Sequence, residues 1–147
     1  MKLIHLSDLH IGKRGNEFSM AEDQKYILNQ ILEIIDREQP DCVVIAGDVY
    51  DKSIPSAEAV QILDDFLTRL AGRKIPTAMI SGNHDSPERL SFGAQLMKES
   101  GIYVSPVYDG QVQSIGFADE YGEVRVYLLP FLKPATVRHV YEEETVE

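Results

Sequence analysis

The sequence predicts an α/β protein built on a mainly parallel sheet, and three observations support this class. Short apolar runs of strand length alternate with segments of helical periodicity. The second run, residues 42–46, is apolar throughout, as in strands that are covered on both faces. Pro40 and Gly72 stand where the first two helical segments should end. Strands that alternate with helices in this way imply right-handed βαβ crossovers and parallel pairing.

The first half of the chain contains one strand, one helix and a second strand. Residues 3–6 form a short β-like run, and a polar loop leads from it to the first helix. Ser19 and Glu22 have the spacing of a capping box, which predicts the helix start. The apolar face of this helix is predicted to consist of four isoleucines, Ile27, Ile31, Ile34 and Ile35. The second strand is the apolar run at residues 42–46.

The second half continues the alternation and then changes character. A second helix is predicted from Ser56 to Leu70, and residues 75–80 are predicted as the third strand. The apolar face of this helix comprises Val60, Leu63, Leu67 and Leu70. Pro87 opens a third helix, which Gly101 closes. Two extended segments follow at residues 111–117 and 123–129, and the alternation in the second predicts a half-buried antiparallel strand.

Length and charge exclude several classes of protein. The 147 residues fit one domain, and 14 basic against 24 acidic side chains give a formal net charge of -10. This balance argues against a protein that holds nucleic acid through bulk positive charge. No apolar run approaches the ~20 residues that span a bilayer, so no membrane association is expected. The single cysteine, Cys42, is predicted to be a buried thiol, which fits a reducing, cytoplasmic setting.

Polar side chains follow each of the three predicted strands at the point where the strand ends. Asp8 and His10 come after the first strand and Asp48 after the second, whereas Asn83 and His84 follow the third. In an open parallel sheet, ligands bind outside the carboxyl ends of the strands. We therefore expect these side chains, which are far apart along the chain, to lie close together at one edge of the sheet.

The donor types predict a hydrolytic metal site. Carboxylate, imidazole and amide donors without a thiolate suit Mn²⁺, Fe²⁺ or Zn²⁺. Asp8 and His10 are two residues apart, so extended backbone directs both to a common centre. Two dications about 3.7 Å apart repel strongly and need a shared anion, and Asp48 is our candidate for that bridge. Asn83 would add an amide oxygen.

His84 is predicted to have a different task from its neighbour Asn83. We expect it to project toward a phosphate, steady the charge of the transition state and protonate the departing oxygen. Asp51 is predicted to hold the ring of His84 in the useful tautomer. The two other histidines in question, His5 and His139, are expected to be a core residue and a surface residue respectively.

Three motifs carry a resemblance to a known family. Residues 8–10, 47–51 and 82–85 have the patterns D-x-H, G-D-x-x-D and G-N-H-D. In these motifs the chain resembles the calcineurin-like metallophosphoesterase superfamily. The surrounding stretches are similar to its bacterial nucleases that process DNA double-strand breaks, and the likeness runs through essentially the whole chain.

The resemblance implies a fold, an activity and a set of roles. The fold would be an αββα sandwich, incomplete here, with the N-terminal βαβαβα half and the start of the second sheet forming one domain over residues 1–147. The activity would be that of a Mn²⁺-dependent DNA exonuclease and endonuclease of repair and recombination, which works as a homodimer with a coiled-coil ATPase. The implied metal ligands are Asp8, His10, the shared Asp48 and, for the second metal, Asn83. His84 would be the catalytic histidine and Asp51 its partner.

One departure from the superfamily leaves alternatives open. Its members supply further metal-binding histidines from downstream motifs that include G-H-x-H, and no such motif occurs here. We therefore expect incomplete metal occupancy and little or no nuclease activity from this chain. The alternatives are a phosphodiesterase or phosphatase of the same superfamily with another substrate, and a non-catalytic dimerisation module. The strip around Leu96 and Met97 would be core in one case and a self-association face in the other.

Overall fold

The architecture is built around a central sheet, and the computed structural model describes residues 1–141 of the chain. Residues 142–147, the end of the predicted domain, lie outside the described part. The elements in chain order are β1 (Leu3–Leu6), β2 (Arg14–Gly15), β3 (Phe18–Ser19), α1 (Ala21–Glu38), β4 (Cys42–Ala46), α2 (Ala57–Gly72), β5 (Thr77–Ile80), α3 (Pro87–Leu90), α4 (Ala94–Glu99), β6 (Ile102–Val104), β7 (Gln113–Asp119), β8 (Gly122–Leu128) and α5 (Pro134–Tyr141).

The central sheet is parallel, as the sequence predicted. Its four strands lie in the order β1, β4, β5, β6. The register places Leu3 opposite Cys42, Val43 opposite Thr77, and Thr77 opposite Ile102. The fourth strand, β6, was not predicted, because three residues are too few to show a period. With successive strands added in one direction, right-handed crossovers bring the connecting helices to one face.

The two faces of the sheet have different covers. Val43 and Ile45 of β4 and Met79 of β5 belong to the main core, which they share with α1 and α2. On the opposite face, Cys42 and Ala78 pack with Leu128 of the β7–β8 hairpin. The order of layers is therefore helices, parallel sheet and antiparallel hairpin. This arrangement confirms the predicted fold class, a partial αββα sandwich.

Helix α1 differs from its prediction in two respects. Its N-cap residue is Met20, which makes no side-chain cap bond, and Glu22 pairs with Lys25 at 2.8 Å. The predicted capping box is therefore wrong. Ile27 and Ile34, predicted to be apolar-face residues, are exposed. The buried residues of the helix are Ala21, Leu28, Leu32 and Ile35. Two overlapping apolar stripes share this sequence, and the contact with the sheet selects one of them.

Helix α2 matches its prediction closely, whereas the third predicted helix is broken. The hydroxyl of Ser56 accepts the N–H of Ala59 at 3.2 Å and caps α2. Leu63, Leu67 and Leu70 are buried as predicted, but Val60 is exposed. The third helix is divided into α3 and α4 because Gly93 has a φ of +74°, a left-handed conformation that interrupts helical bonding.

The C-terminal hairpin is present as predicted, and the two histidines outside the motifs differ in outcome. Strands β7 and β8 form the predicted antiparallel pair, and burial falls from Leu128 (3% exposed) to Val124 (40%) toward the turn. His139 is exposed as expected. His5 is exposed too, so the prediction of a core residue is wrong; it lies on β1, which is an edge strand of the sheet. No helix within residues 1–141 combines the length and apolarity needed to cross a bilayer.

Cys42 is expected to be unreactive in the folded chain. Its side chain is fully buried, and burial raises the pKa of the thiol to about 11. A shift of two pKa units alone lowers the thiolate fraction about 100-fold at pH 8. Alkylation by iodoacetamide should therefore be at least about 100-fold slower in buffer than in urea. Equal rates in the two solvents would contradict the buried placement of this strand.

The same shift fixes the sign of a pH effect on stability. The thiol binds its proton more tightly in the folded chain than in the unfolded one, whose ordinary pKa is 9.0. The unfolded state is therefore favoured as the pH rises from 9.0 toward about 11. Urea unfolding of the wild type and Cys42→Ala across this range measures the contribution.

Candidate metal centre

The loops that follow β1 and β4 are joined by main-chain hydrogen bonds. The N–H of Asp8 donates to the carbonyl of Gly47 at 3.2 Å, and the N–H of His10 donates to the carbonyl of Asp48 at 2.9 Å. The N–H of Ile11 continues the series to Val49 at 2.9 Å. These bonds extend the parallel pairing beyond the ends of the strands. They bring the first two predicted motifs side by side at the carboxyl edge of the sheet.

The loop after β5 approaches the loop after β4 so closely that two glycines are required. A Cβ on Gly82 would lie 2.2 Å from Oδ1 of Asp48 and 2.3 Å from its main-chain nitrogen. A Cβ on Gly47 would lie 2.9 Å from the Cα of Gly82, and Gly47 also has a φ of +85°. No side chain fits at either position. This close approach of the two backbones places the third motif against Asp48.

Three of the predicted metal ligands have a left-handed backbone. The φ angles are +55° for Asp8, +44° for His10 and +49° for Asp48. Such a conformation costs roughly 1–2 kcal/mol for a residue with a Cβ. Strain of this kind persists only where surrounding contacts over-determine the loop. Its concentration at the three residues marks this edge of the sheet as a constrained site.

Asp85 supplies part of that constraint. Its carboxylate is buried (5% exposed) and accepts three main-chain N–H groups, from Val49 at 3.1 Å, Tyr50 at 2.8 Å and Gly82 at 2.8 Å. It thereby ties the loop after β4 to the loop after β5. The sequence reasoning placed Asp85 in the third motif without giving it a role. That position in the motif was the one available signal.

Asp8, His10 and Asp48 form a group of potential metal donors. Nε2 of His10 lies 3.8 Å from Oδ1 of Asp8 and 4.0 Å from Oδ2 of Asp48. These separations are too long for hydrogen bonds. Ligand atoms at ~2.1 Å from one cation lie roughly 3.0–3.5 Å apart, so a small inward movement would satisfy a shared ion. The oxygen and nitrogen donors fit a divalent cation.

His84 lies against this group with its ring held by the main chain. Its N–H donates to Oδ1 of Asp48 at 3.0 Å, and its Nδ1 lies 3.0 Å from the carbonyl oxygen of Asp51. A proton on Nδ1 makes this second contact a hydrogen bond, and Nε2 is then left for a ligand. The bond to the Asp51 carbonyl raises the pKa of His84 above its ordinary value, and the carboxylates of Asp48, Asp51 and Asp85 add to the shift.

Asp51 contacts both histidines, each through a different group. We predicted that it would hold the His84 ring, and the atom in contact with that ring is its main-chain oxygen. Its carboxylate faces the other ring, with Oδ1 at 3.4 Å from Nδ1 of His10. That nitrogen is buried and has no hydrogen-bond partner among residues 1–141. His10, Asp51 and His84 thus form a second group whose donor atoms lie within 4.8 Å of one another.

Asn83 is exposed and directly precedes His84 in the same loop. The main-chain contact between His84 and Asp48 therefore holds Asn83 near the edge where the other donors meet. Its role as a ligand of a second metal stays a prediction. The structure thus brings Asp8, His10, Asp48, Asp51 and His84 together within two overlapping groups.

Comparison with known proteins places these motifs in a family. Residues 1–140 match the family model described as calcineurin-like phosphoesterase. The whole chain aligns, with 39% identity over 148 positions, with a Staphylococcus epidermidis protein named as the SbcD subunit of the nuclease SbcCD. The alignment covers 38% of that relative, so the chain spans a little over a third of its length.

Proposed function

The chain belongs to the calcineurin-like phosphoesterase family, and on this basis we propose that it is the N-terminal part of the nuclease domain of a metal-dependent DNA phosphodiesterase. The observation that carries the proposal is the convergence of Asp8, His10 and Asp48, with His84 beside them. The similarity to the SbcD subunit of the nuclease SbcCD supports DNA as the substrate and both exonuclease and endonuclease activity.

Each predicted metal ligand has a proposed place in a two-metal site. Asp8 and His10 hold one cation, Asp48 is shared between two, and Asn83 holds the second. Mn²⁺ is the proposed ion, since the carboxylate, imidazole and amide donors suit it. When bound, such cations activate a water molecule and offset the charge that develops on the phosphate. This accounts for a phosphate substrate on a chain with a net charge of -10.

His84 is the proposed general acid. Its contact with the Asp51 carbonyl directs the other ring nitrogen, Nε2, away from the main chain. The raised pKa of His84 favours the protonated ring near neutral pH. The ring can then stabilise negative charge on the phosphate and deliver a proton to the departing oxygen. Asp51 is the positioning partner in this scheme.

The partners are proposed with the same relative in view. The name SbcCD describes an assembly, and we propose that the complete protein works as a homodimer with an SbcC-type ATPase in DNA repair and recombination, in the cytoplasm. Phe92 (86% exposed) and Leu96 (79%) lie in and beside the short helix α4 and support self-association. Met97 packs against the core instead. The same exposed residues favour a second candidate, a non-catalytic dimerisation module.

The donor set of this chain is smaller than a two-metal site needs. The predicted ligands are three charged or imidazole groups and one amide, and the G-H-x-H motif of the superfamily is missing. We therefore propose that the 147-residue chain binds Mn²⁺ weakly and incompletely, and that its nuclease activity is low or nil.

Calorimetric titration with Mn²⁺ and an assay on linear duplex DNA test the proposal together. We expect weak, saturable binding at less than the occupancy of a two-metal site, with DNA cleavage close to background. Asp64→Asn, an exposed change on α2, is the control and should leave the titration unchanged. Robust cleavage that Asp48→Ala abolishes would contradict the proposed inactivity. A chain that dimerises in sedimentation but binds no Mn²⁺ would favour the dimerisation module.

A further inference from the structure

The loop that carries His10 is held on one side by the main chain and on the other by a single side chain. On the first side, the N–H groups of His10 and Ile11 donate to the carbonyls of Asp48 and Val49. On the second side stands Gln24, one turn into α1. Oε1 of Gln24 accepts the N–H of Gly12 at 2.9 Å.

The carbonyl groups of this loop are bound by the other end of the same amide. Nε2 of Gln24 donates to the carbonyl of His10 at 2.7 Å and lies 3.4 Å from the carbonyl of Leu9. One half-buried side chain therefore contacts three main-chain positions around the metal ligand. His10 and Gly12 both have a left-handed backbone, with φ angles of +44° and +90°. The amide binds the loop at the two residues whose conformation is least favourable.

The chemistry of these contacts requires a glutamine. The loop offers one donor and two acceptors, and a side-chain amide provides the matching acceptor and donors in one plane. An ionised glutamate of the same shape would present oxygen to two carbonyl oxygens. An asparagine would be one methylene too short. The acceptors and donors of Gln24 are thus matched to this loop, although none of its atoms belongs to either group of metal donors.

We infer that Gln24 is a positioning residue of the metal centre: its side-chain amide fixes the main chain of the loop and so keeps Nε2 of His10 within reach of Asp8 and Asp48. The inference rests on the proposed function, because it assumes that His10 is a metal ligand. Gln24 acts through the backbone, in the way that groups around a metal site orient its ligands.

Two variants separate this role from a general effect on folding. Gln24→Glu keeps the shape and the acceptor but removes the donor, and Gln24→Met removes both without adding charge. Gln30 lies on the same helix with its Nε2 at 3.3 Å from Glu33, so Gln30→Glu and Gln30→Met are matched controls. Both Gln24 variants are expected to weaken Mn²⁺ binding about tenfold, and both Gln30 variants less than about twofold.

Amide hydrogen exchange of the metal-free chain provides the readout that does not depend on metal. We expect the N–H groups of His10 and Ile11 to exchange about tenfold faster in both Gln24 variants, with the N–H of Gly12 affected most in Gln24→Met. Amides of β4 and β5 should keep their wild-type rates. Exchange that rises equally throughout the chain would overturn the inference, since the role would then be general stability.

The outcomes distinguish this inference from the proposed function. If the wild type binds Mn²⁺ and the Gln24 variants bind it equally well, Gln24 does not position the site and the inference fails. If the wild type binds no Mn²⁺, the proposed function fails, and unchanged exchange at His10 and Ile11 would show that Gln24 does not hold the loop either. Faster exchange there would support the loop contact independently of metal.

Discussion

Asp48→Asn is expected to weaken the binding of Mn²⁺ to the chain by about 100-fold or more, which corresponds to about 2.7 kcal/mol of binding free energy. Asp48 is the proposed anion between two dications, and no neutral amide can offset their repulsion to the same degree. The carboxylate lies 4.0 Å from Nε2 of His10 on one side and accepts the N–H of His84 on the other. Calorimetry at neutral pH measures the change.

The same substitution should leave the metal-free fold intact or slightly more stable. Asparagine tolerates the left-handed backbone at this position as well as aspartate does, and its amide oxygen can still accept the N–H of His84. Removing one carboxylate also relieves repulsion within an acidic cluster. Urea unfolding with EDTA present measures this, with Asp64→Asn as the control. Wild-type Mn²⁺ affinity in Asp48→Asn would exclude Asp48 from the metal centre.

Gly82→Ala is expected to destabilise the chain by about 3 kcal/mol and to disrupt metal binding at the same time. The new methyl group would lie 2.2 Å from Oδ1 of Asp48 and 2.3 Å from its main-chain nitrogen. The main-chain atom cannot swing aside as the end of a flexible side chain can. The loops after β4 and β5 must therefore separate, which breaks the contacts of Asp85 with Val49 and Gly82. Urea unfolding and Mn²⁺ titration measure the two effects.

Gly72→Ala is the matched control for this substitution. Gly72 is the last residue of α2, and a Cβ built there meets nothing within 4 Å in the structure. Alanine in a helix is favoured over glycine by roughly 0.5–1 kcal/mol, so this variant should be as stable as the wild type or more so. Wild-type stability and Mn²⁺ binding in Gly82→Ala would show that the two loops do not approach as closely as described.

Much of the fold follows from local pattern, and the exceptions have specific causes. Strand β4 and helix α2 were predicted nearly to the residue, because a fully apolar run and a serine cap are strong local signals. The buried face of α1 was predicted wrongly at Ile27 and Ile34, since periodicity alone cannot choose between two overlapping stripes. Strand β6 was too short to predict.

The candidate site shows the same division. The motifs and the ends of the strands pointed to Asp8, His10 and Asp48, and the structure places these three together. The contacts of Asp85 and Gln24 could not be predicted, because each joins a side chain to main-chain groups of another segment.

The amino-acid order by itself determined the succession of strands and helices and which polar residue follows each strand, since periodicity, turn residues and caps act between near neighbours. Only the tertiary structure decided which atoms meet: the carbonyl rather than the carboxylate of Asp51 at His84, and the backbone of Gly82 against Asp48. Such contacts join segments that are far apart along the chain, so they depend on the packing of the whole sheet and not on any local preference.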